Sequence, residues 1–255
     1  MKTWKNNGLI WMDCEMLPLA DRGFRYGMSV FETIAVHDGK LLFLEPHLQR
    51  LKHAAADCGC VLPELPDFNF LPLGTGLLRI YLTAGAGAPE APFTGNAYAL
   101  FDEAEVGWNL SPLRVALHAA PCMPRPGGWK TGNYWQNIDA LVASRCIGCD
   151  EALVCNPAGM LMGAAMANVF LLIDGSWVTP TLETGARNGV VREWVLDTLG
   201  AAESLLDADE ALRCSSAFVT NSRVGIRPIG ELNGRPLVDS TSILQQRYFD
   251  EIFTS

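Results

Sequence analysis

The run Lys130-Thr131-Gly132-Asn133-Tyr134 is the most informative stretch of this sequence. It directly follows residues 122–129, a segment rich in proline and glycine, and no acidic residue adjoins the lysine. A lysine that is withdrawn from water loses its proton more readily, and the neutral amine attacks carbonyl carbon. The run therefore marks Lys130 as a candidate nucleophile, with a solvated surface lysine as the alternative.

The second half of the chain alternates predicted helices and strands with polar turns. Residues 134–147 carry apolar side chains in helical register, and residues 168–173 form an apolar run typical of a strand. Three further helices are predicted, over Val190–Leu199, over Leu205–Leu212 and over Ser240–Phe253. Gly189 precedes the first of these. Because the first amides of a helix lack partners within it, this N-terminus is a candidate anion site.

The elements predicted in the first half of the chain include two strands and one helix that carry candidate site residues. Ser29–Val36 has the β-branched content of a strand. Glu45–Ala56 places leucine and alanine on one face of a helix, with Arg50 beside that face. Leu77–Thr83 is a second strand, in which Arg79 alternates with apolar neighbours. Each of these two arginines is a candidate partner for an anionic ligand, with an exposed charge as the alternative.

Strands and helices follow one another without a regular βαβ rhythm, which predicts an α+β fold in two lobes. The segment 121–128 is rich in proline and glycine and is the predicted interdomain linker. It would separate an N-terminal α+β domain, residues 1–120, from a C-terminal domain, residues 129–255, that carries Lys130.

The composition argues against several functional classes. Of the 255 residues, 49% are hydrophobic and 18% are charged, which is enough to build a sizeable core. The net charge of -9 argues against a nucleic-acid-binding surface, which needs clustered positive charge. No apolar run approaches the ~20 residues of a membrane span, and we expect no signal peptide. We therefore expect neither nucleic acid nor a membrane as a partner.

Eight cysteines are scattered along the chain, a pattern that suits a reducing cytoplasm. Cys146 and Cys149 have the spacing of a zinc or redox motif, but the sequence has no second such pair and no cluster of histidines. Cys58 and Cys60 are too close together for an easy disulfide. We expect no metal site, and both pairs are interpreted as small buried hydrophobic residues.

From about residue 8 to the C-terminus, the chain resembles the fold-type IV family of pyridoxal phosphate (PLP) enzymes. Asp21–Gly27, followed by Val30–Thr33, is similar to the N-terminal signature of that family, and His47–Leu51 is similar to its helix motif. The resemblance implies a fold like that of D-amino-acid aminotransferase, with a small N-terminal α/β domain and a larger C-terminal domain with a β-barrel-like core. It also implies a homodimer with the site near the interface.

The resemblance implies roles for individual residues. Lys130 matches the catalytic lysine that binds PLP covalently. The other implied cofactor contacts are Arg50 and the helix start Gly189, Val190 and Val191 at the phosphate, Tyr134 at the phenolic oxygen, and Asn221 and Ser222 near the phosphate. The implied substrate contacts are Tyr26, which often enters from the partner subunit, and Glu32, Arg79 and Arg223, with Arg227 as a further candidate.

The sequence departs from the family at one important position. Members carry a glutamate five residues before the asparagine of the Asn-Val-Phe segment, and Gly163 occupies that place ahead of Asn168. The sequence has no acid between Glu151 and Asp174. Without a carboxylate, the proton on the pyridine nitrogen is poorly held and the electron sink is weaker. A water molecule, or an acid from elsewhere in the fold, is the alternative.

Three functional hypotheses follow from this pattern. The first is a lyase like aminodeoxychorismate lyase, which forms 4-aminobenzoate and pyruvate from 4-amino-4-deoxychorismate; the short chain and the segment Thr220–Ile229 favour it. The second is a branched-chain or D-amino-acid aminotransferase, against which the missing acid weighs more heavily because transamination needs protonation at two carbons. The third is a catalytically impaired family member that serves as a binding protein.

Overall fold

The computed structural model describes residues 1–14, 16–60, 62–68, 71, 73–93, 95–107 and 110–254, with Pro126 described by its backbone alone. These residues form two compact units. The first comprises Met1–Val106 together with Trp129–Asn133, and the second comprises Gly107–Gly128 together with Tyr134–Ser255. The division differs from the predicted boundaries, because residues 107–120 and the predicted linker 121–128 group with the second unit, and Trp129–Asn133 groups with the first.

The first unit is an antiparallel sheet on which one long helix packs. Its elements are β1 (Lys2–Asn6), β2 (Trp11–Asp13), α1 (Arg22–Tyr26), β3 (Ser29–His37), β4 (Lys40–Leu41), α2 (Leu44–Asp57), β5 (Gly76–Thr83) and β6 (Asn96–Glu103). The strands lie in the order β2-β1-β6-β5-β3-β4, and each neighbouring pair is antiparallel.

The alternation of side chains along β3 explains how this unit is built. Val30, Glu32 and Ile34 are buried on the face that carries α2, whereas Phe31 and Thr33 are only partly buried on the other face. The helix completes the core with residues at helical spacing, Leu51, Ala54 and Ala55. One charged side chain of β3, Glu32, lies on the same buried face.

The segment Trp129–Asn133 joins the first unit through the edge of β3. The Phe31 amide donates to the Lys130 carbonyl oxygen at 2.8 Å, and the Gly132 amide donates to the Ser29 carbonyl oxygen at 3.0 Å. Val30 and Thr131 form an antiparallel bridge between these bonds. This backbone pairing fixes the position of the Lys130 Cα atom beside β3.

The second unit is a nine-stranded mixed sheet with four helices among its described residues. Its elements are β7 (Leu113–Leu117), α3 (Trp135–Cys146), β8 (Glu151–Cys155), β9 (Leu161–Ala164), β10 (Asn168–Ile173), β11 (Ser176–Pro180), α4 (Val190–Leu199), β12 (Ala202–Ser204), α5 (Ala208–Leu212), β13 (Ser216–Asn221), β14 (Gly225–Leu232), β15 (Arg235–Pro236) and α6 (Ser242–Ile252). The strand order is β12-β11-β10-β13-β14-β7-β8-β9, with β15 paired to β14.

The predicted α+β class is confirmed, because two separate sheets combine with helices that do not alternate regularly with strands. The predicted helices over 134–147 and Val190–Leu199 are present as α3 and α4. Across the part of the chain that the structure describes, no helix is both long and apolar enough to span a membrane.

Two local predictions were wrong. The helix expected over Leu205–Leu212 begins only at Ala208, because Asp207 caps it and forms a capping box with Glu210. The interpretation of both cysteine pairs as buried residues holds only for Cys60, since Cys146 is exposed and Cys58 and Cys149 are only partly buried. Cys146 is the last residue of α3, and Cys149 lies just after the turn that follows this helix. All eight cysteines are free.

Candidate active site

Lys130 lies at the edge of β3, with its amine held away from water. Its Nζ donates to Thr33 Oγ1 at 3.3 Å and lies 5.3 Å from the centroid of the Phe31 ring. Burial lowers the pKa of Lys130 to about 8; Glu32 opposes this shift, whereas Arg50 and Arg79 add to it. About a tenth of such an amine is neutral at pH 7, against roughly one in a few thousand for an ordinary lysine.

A buried carboxylate lies between β3 and α2 in the same unit. Glu32 Oε2 is 2.8 Å from His47 Nδ1, and Glu32 Oε1 is 3.3 Å from an Arg50 terminal nitrogen. His47 and Arg50 are three residues apart on α2, so they lie on one side of the helix. Glu32 therefore engages both of these side chains at once.

The charge states of this cluster follow from its burial. Burial lowers the pKa of His47, and the hydrogen bond with Glu32 opposes that shift without cancelling it. Burial pushes the pKa of Glu32 upward, but the His47 hydrogen bond and the charges of Arg50, His47 and Lys130 outweigh it, so the pKa is lowered. Glu32 is thus ionised, and because a carboxylate can only accept, His47 Nδ1 donates to it.

The remaining predicted site residues of the first unit have other surroundings. Arg79 is paired with Asp102, its donor nitrogen lying 2.5 Å from a carboxylate oxygen. Tyr26 is exposed at the end of α1, where the Arg25 guanidinium lies 4.8 Å from its ring centroid. The structure thus brings Lys130, Glu32 and Arg50 together, and leaves Tyr26 on an exposed surface.

In the second unit, Asn168 holds the loop that leads into α4. Its Nδ2 donates to the Arg187 carbonyl oxygen at 2.6 Å. A Cβ at Gly189 would lie only 2.1 Å from Asn168 Oδ1, so this close approach requires glycine. Gly189 is the N-cap of α4 and offers no capping side chain, so the first amides of the helix stay available to an anion.

Asn221 orders a second loop of this unit, at the end of β13. Its Oδ1 accepts from the Arg223 amide at 2.9 Å and from the Val224 amide at 3.0 Å. Its Nδ2 donates to the Met166 carbonyl oxygen at 3.1 Å, which ties the turn to the loop before β10. Ser222 is partly buried within the turn, whereas the Arg223 side chain is exposed.

Tyr134 directly precedes α3 and is paired with a cation. The Arg125 guanidinium lies 4.5 Å from the centroid of the Tyr134 ring and also donates to Asn137 Oδ1 at 2.6 Å. The ring is therefore held in place by a side chain that is itself anchored on α3.

A family model described as amino-transferase class IV matches residues 29–232, a span that includes Lys130, Asn168 and Gly189. The chain belongs to the class IV aminotransferase family. The relatives of this chain within the family are named for two different reactions, a lyase reaction and transamination. It is 28% identical to the aminodeoxychorismate lyase of Bacillus subtilis, covering 91% of this chain and 88% of that one. It is 25% identical to the branched-chain-amino-acid aminotransferase of Pseudomonas aeruginosa, covering 96% and 92%.

Solved structures of the class IV family share the fold of this chain. The branched-chain aminotransferase of Thermoproteus uzoniensis superposes with a TM-score of 0.86 at 22% identity, covering 98% of this chain and 94% of that one. The putative 4-amino-4-deoxychorismate lyase of Legionella pneumophila superposes with a TM-score of 0.81 at 22% identity, covering 92% and 94%. Members of the family are PLP-dependent aminotransferases or lyases, so the fold does not distinguish the two reactions.

Gly163, where a class IV enzyme was expected to carry a glutamate, has a backbone suited to glycine. Its φ is +150°, and a Cβ there would lie 3.1 Å from the Ala167 carbonyl oxygen. No described carboxylate lies within 4 Å of that Cβ position. A larger side chain is therefore disfavoured by the backbone itself.

The nearest acid that precedes Gly163 in the sequence, Glu151 on β8, is engaged elsewhere. It is buried and accepts from the Ala152 amide at 2.9 Å and from the amides of Ala165 and Met166. Burial raises the pKa of Glu151 to about 7, against the lowering effect of these hydrogen bonds and of Arg145. Its carboxyl group thus anchors the loop that joins β9 to β10.

Sequence reasoning did not assign roles to His47, Thr33, Asn168 and Glu151. For His47 a signal was available, because its spacing from Arg50 places both on one side of a helix. For Thr33 and Glu151 no local signal exists, since their partners are distant in the chain. In the described part of the chain, no group of three or more histidine, cysteine or acidic residues is arranged to hold a metal.

Proposed function

We propose that this chain is a PLP-dependent enzyme that acts on an amino compound, with 4-amino-4-deoxychorismate lyase as the first candidate activity. The observation that carries the proposal is the Lys130 amine, whose pKa burial lowers to about 8 and which donates to Thr33. A neutral amine attacks an aldehyde, and PLP offers an aldehyde. The lyase reaction would release 4-aminobenzoate and pyruvate.

The side chains of the first unit suit two parts of PLP. The Lys130 amine suits the aldehyde, and the Arg50 guanidinium suits a phosphate group. Arg50 already has Glu32 as a counter-ion at 3.3 Å, so a phosphate would share this arginine with a carboxylate. Glu32 itself is buried and already contacts His47 and Arg50. The substrate contacts predicted for Glu32, Tyr26, Arg79 and Arg223 remain predictions.

The second unit offers amides and hydroxyl groups rather than charges. The open amides of α4, at Gly189, Val190 and Val191, suit a phosphate. The remaining proposed contacts are Tyr134 for the phenolic oxygen and Asn221 and Ser222 near the phosphate. Gly163 itself has no side chain that could pair with a protonated pyridine nitrogen.

The residues around Lys130 define what this chain would do during catalysis. When bound, PLP supplies an electron sink that withdraws electrons from the substrate α-carbon. Lys130 would bind the cofactor and, once displaced by the amino substrate, would carry a proton at Nζ. Thr33 orients that nitrogen, and the ionised Glu32 limits how far the pKa of Lys130 falls.

The runner-up is an aminotransferase for branched-chain or D-amino acids. Relatives with aminotransferase names support it, including a D-alanine aminotransferase of Listeria monocytogenes at 22% identity. Gly163 counts against it, because transamination needs protons delivered at two carbons and depends more strongly on the sink. The second alternative, an impaired member that serves as a binding protein, also has Gly163 as its support.

A homodimer is part of the proposal. In α3, Trp135, Ile138 and Val142 are 80%, 45% and 53% exposed and follow each other at helical spacing, so they form an apolar stripe on one face. Such a stripe is typical of a surface that a second chain covers. A cytoplasmic location, inferred from the cysteine usage, remains a prediction.

The first experiment tests the bond between Lys130 and PLP. The purified protein is mixed with PLP, its visible spectrum is recorded, and borohydride is added before peptide mass analysis. We expect a modified peptide that contains Lys130, no modification in Lys130→Ala, and normal modification in Lys52→Ala, which removes an exposed lysine of α2. A wild-type protein without the modification would contradict PLP-dependent catalysis and leave the binding-protein hypothesis.

The second experiment separates the candidate activities. Pyruvate release is measured with 4-amino-4-deoxychorismate, and the pyridoxamine form of the cofactor is measured with leucine or D-alanine. Pyruvate without pyridoxamine supports the lyase, whereas pyridoxamine formed with either amino acid supports the aminotransferase. Turnover that disappears in Lys130→Ala would exclude the non-enzymatic alternative.

A further inference from the structure

The face of the first sheet opposite α2 carries a row of aromatic side chains. Phe31 on β3 lies opposite Tyr81 on β5, and the two rings stack with centroids 4.9 Å apart. Tyr81 lies opposite Tyr98 on β6. We call Phe31, Tyr81 and Tyr98 the aromatic row. Because directly opposed residues have neighbouring Cβ atoms, the row extends across three adjacent strands.

A lysine lies at each end of the aromatic row. Lys130 Nζ is 5.3 Å from the Phe31 ring centroid, and Lys5 Nζ, on β1, is 5.7 Å from the Tyr98 ring centroid. Adjacent strands are about 4.8 Å apart, so the three spacings from β3 to β1 amount to roughly 14 Å. With about 3 Å for a contact at each end, a bound molecule would measure roughly 8 Å between its two polar ends.

Two groups at the far end of the row lack partners that would satisfy them. The Tyr98 hydroxyl is buried and has no hydrogen-bond partner among the described residues. Lys5 forms no ion pair with any acid that the structure describes. By contrast, Arg79 on the same face is already paired with Asp102. A buried hydroxyl without a partner is unfavourable, which points to a polar ligand group at this place.

We propose that the aromatic row and Lys5 bind the body of a cyclic amino substrate, with Lys5 holding a carboxylate remote from the reacting amine. The inference rests on the proposed function, since it takes the reaction to occur at Lys130. The ring of the substrate would lie against the aromatic side chains, and its carboxylate would pair with the Lys5 ammonium. D-alanine and the branched-chain amino acids have no second anionic group that could bind Lys5 at the far end of the aromatic row.

Ligand titration tests the assignment of Lys5. The probes are 4-aminobenzoate, which has a ring, an amine and a remote carboxylate, and aniline, which lacks the carboxylate. Dissociation constants are measured by calorimetry on protein incubated with PLP. We expect Lys5→Gln to weaken 4-aminobenzoate binding about tenfold and Lys5→Arg to restore it, because one charge-assisted contact with a partly exposed group is of that order.

The controls separate charge from structure. Lys2→Gln removes an exposed lysine of the same strand whose side chain alternates to the other face, and we expect no change in binding. Tyr98→Phe should weaken 4-aminobenzoate binding by a smaller factor, about threefold, because it removes one neutral donor. Aniline binding should be equal in every variant, since aniline has no group for Lys5 or for the Tyr98 hydroxyl.

Equal affinity of the wild type and Lys5→Gln for 4-aminobenzoate would overturn the inference, as would a wild type that does not bind this probe. A loss of aniline affinity in Lys5→Gln that matches the loss for 4-aminobenzoate would also overturn it. Borohydride trapping in the same samples reports separately on Lys130. Trapped PLP with equal affinities contradicts only the role of Lys5, whereas a tenfold effect without trapped PLP contradicts only the proposed function.

Discussion

Lys130 in the first unit and Glu151 in the second are both ionisable groups shielded from water, but their neighbours differ in kind. Burial shifts both toward the neutral form, lowering the pKa of Lys130 to about 8 and raising that of Glu151 to about 7. Around Lys130 the partners are side chains that carry charge, Glu32, Arg50 and Arg79. Around Glu151 the partners are mainly backbone amides.

This difference means that the pKa of Lys130 depends on neighbouring side chains, whereas Glu151 is held by the backbone. Charges on neighbouring side chains set how easily Lys130 gives up its proton, and substitutions can change them one at a time. Backbone amides around Glu151 cannot be substituted in that way, and they hold a loop in place. Changes around Lys130 should therefore alter reactivity as well as stability, whereas changes around Glu151 should alter mainly stability and its dependence on pH.

The largest effect is expected for Glu32→Ala. The change leaves the buried His47 and the partly buried Arg50 without their shared carboxylate, which should lower the free energy of unfolding by about 4 kcal/mol. The pKa of Lys130 should fall further, because Glu32 is the group that raises it. Urea unfolding and pH-dependent labelling of Lys130 measure the two effects.

Glu32→Gln is the matched control for that change. It keeps the shape and one acceptor oxygen, so the loss of stability should be clearly smaller than in Glu32→Ala. If both variants lost less than about 1 kcal/mol, the carboxylate would not be the centre of the cluster.

The next effect concerns the pH dependence that Glu151 imposes. Its pKa in the folded chain is about 7, above the unfolded value near 4.5, so the folded state binds a proton more tightly. The associated stability is complete below about pH 4.5 and is lost as the pH rises to 7, by roughly 2–3 kcal/mol. Unfolding of the wild type and of Glu151→Gln across this range should show the downward slope only in the wild type. A slope shared by both proteins would assign the titration to another group.

A smaller effect is expected at Gly163. Because its φ of +150° is unfavourable for other residues, Gly163→Ala should cost about 2 kcal/mol of unfolding free energy. Gly163→Glu should cost at least as much, and therefore should not work as a simple restoration of the family acid. Gly74→Ala, where nothing lies within 4 Å of the new methyl group, is the control and should change stability little. A stable Gly163→Glu variant with increased activity would show that the backbone adapts.

The smallest effect is a rise in the free energy of unfolding at alkaline pH, which Lys130 causes. The pKa of Lys130 is depressed from 10.5 to about 8, so the unfolded chain binds a proton more tightly between these values. Stability should therefore rise with pH from about 8 to 10.5, by about 1 kcal/mol after allowance for partial exposure. Lys130→Met should lack this rise, whereas Lys52→Met, which removes an exposed lysine, should keep it. An equal rise in all three proteins would mean that Lys130 is solvated.

The sequence was sufficient for patterns that depend on neighbours in the chain. Helical spacing predicted α3 and α4, and β-branched content predicted the long strand β3. It failed at Leu205–Leu212, because a cap at Asp207 started the helix later than the apolar pattern suggested. It also missed the pairing of Trp129–Asn133 with β3, since the partners are about a hundred residues apart and backbone hydrogen bonds carry no side-chain signal.

By itself, the sequence determined the α+β class, the order of the motifs around Lys130 and the presence of glycine at position 163. The tertiary structure alone decided that Glu32 meets His47 and Arg50, that Glu151 turns toward the amides of Ala165 and Met166, and that an aromatic row ends at Lys5. The physical reason is that the reactivity of a side chain depends on desolvation and on charges within a few ångströms. Those neighbours come from distant parts of the chain, and only folding brings them together.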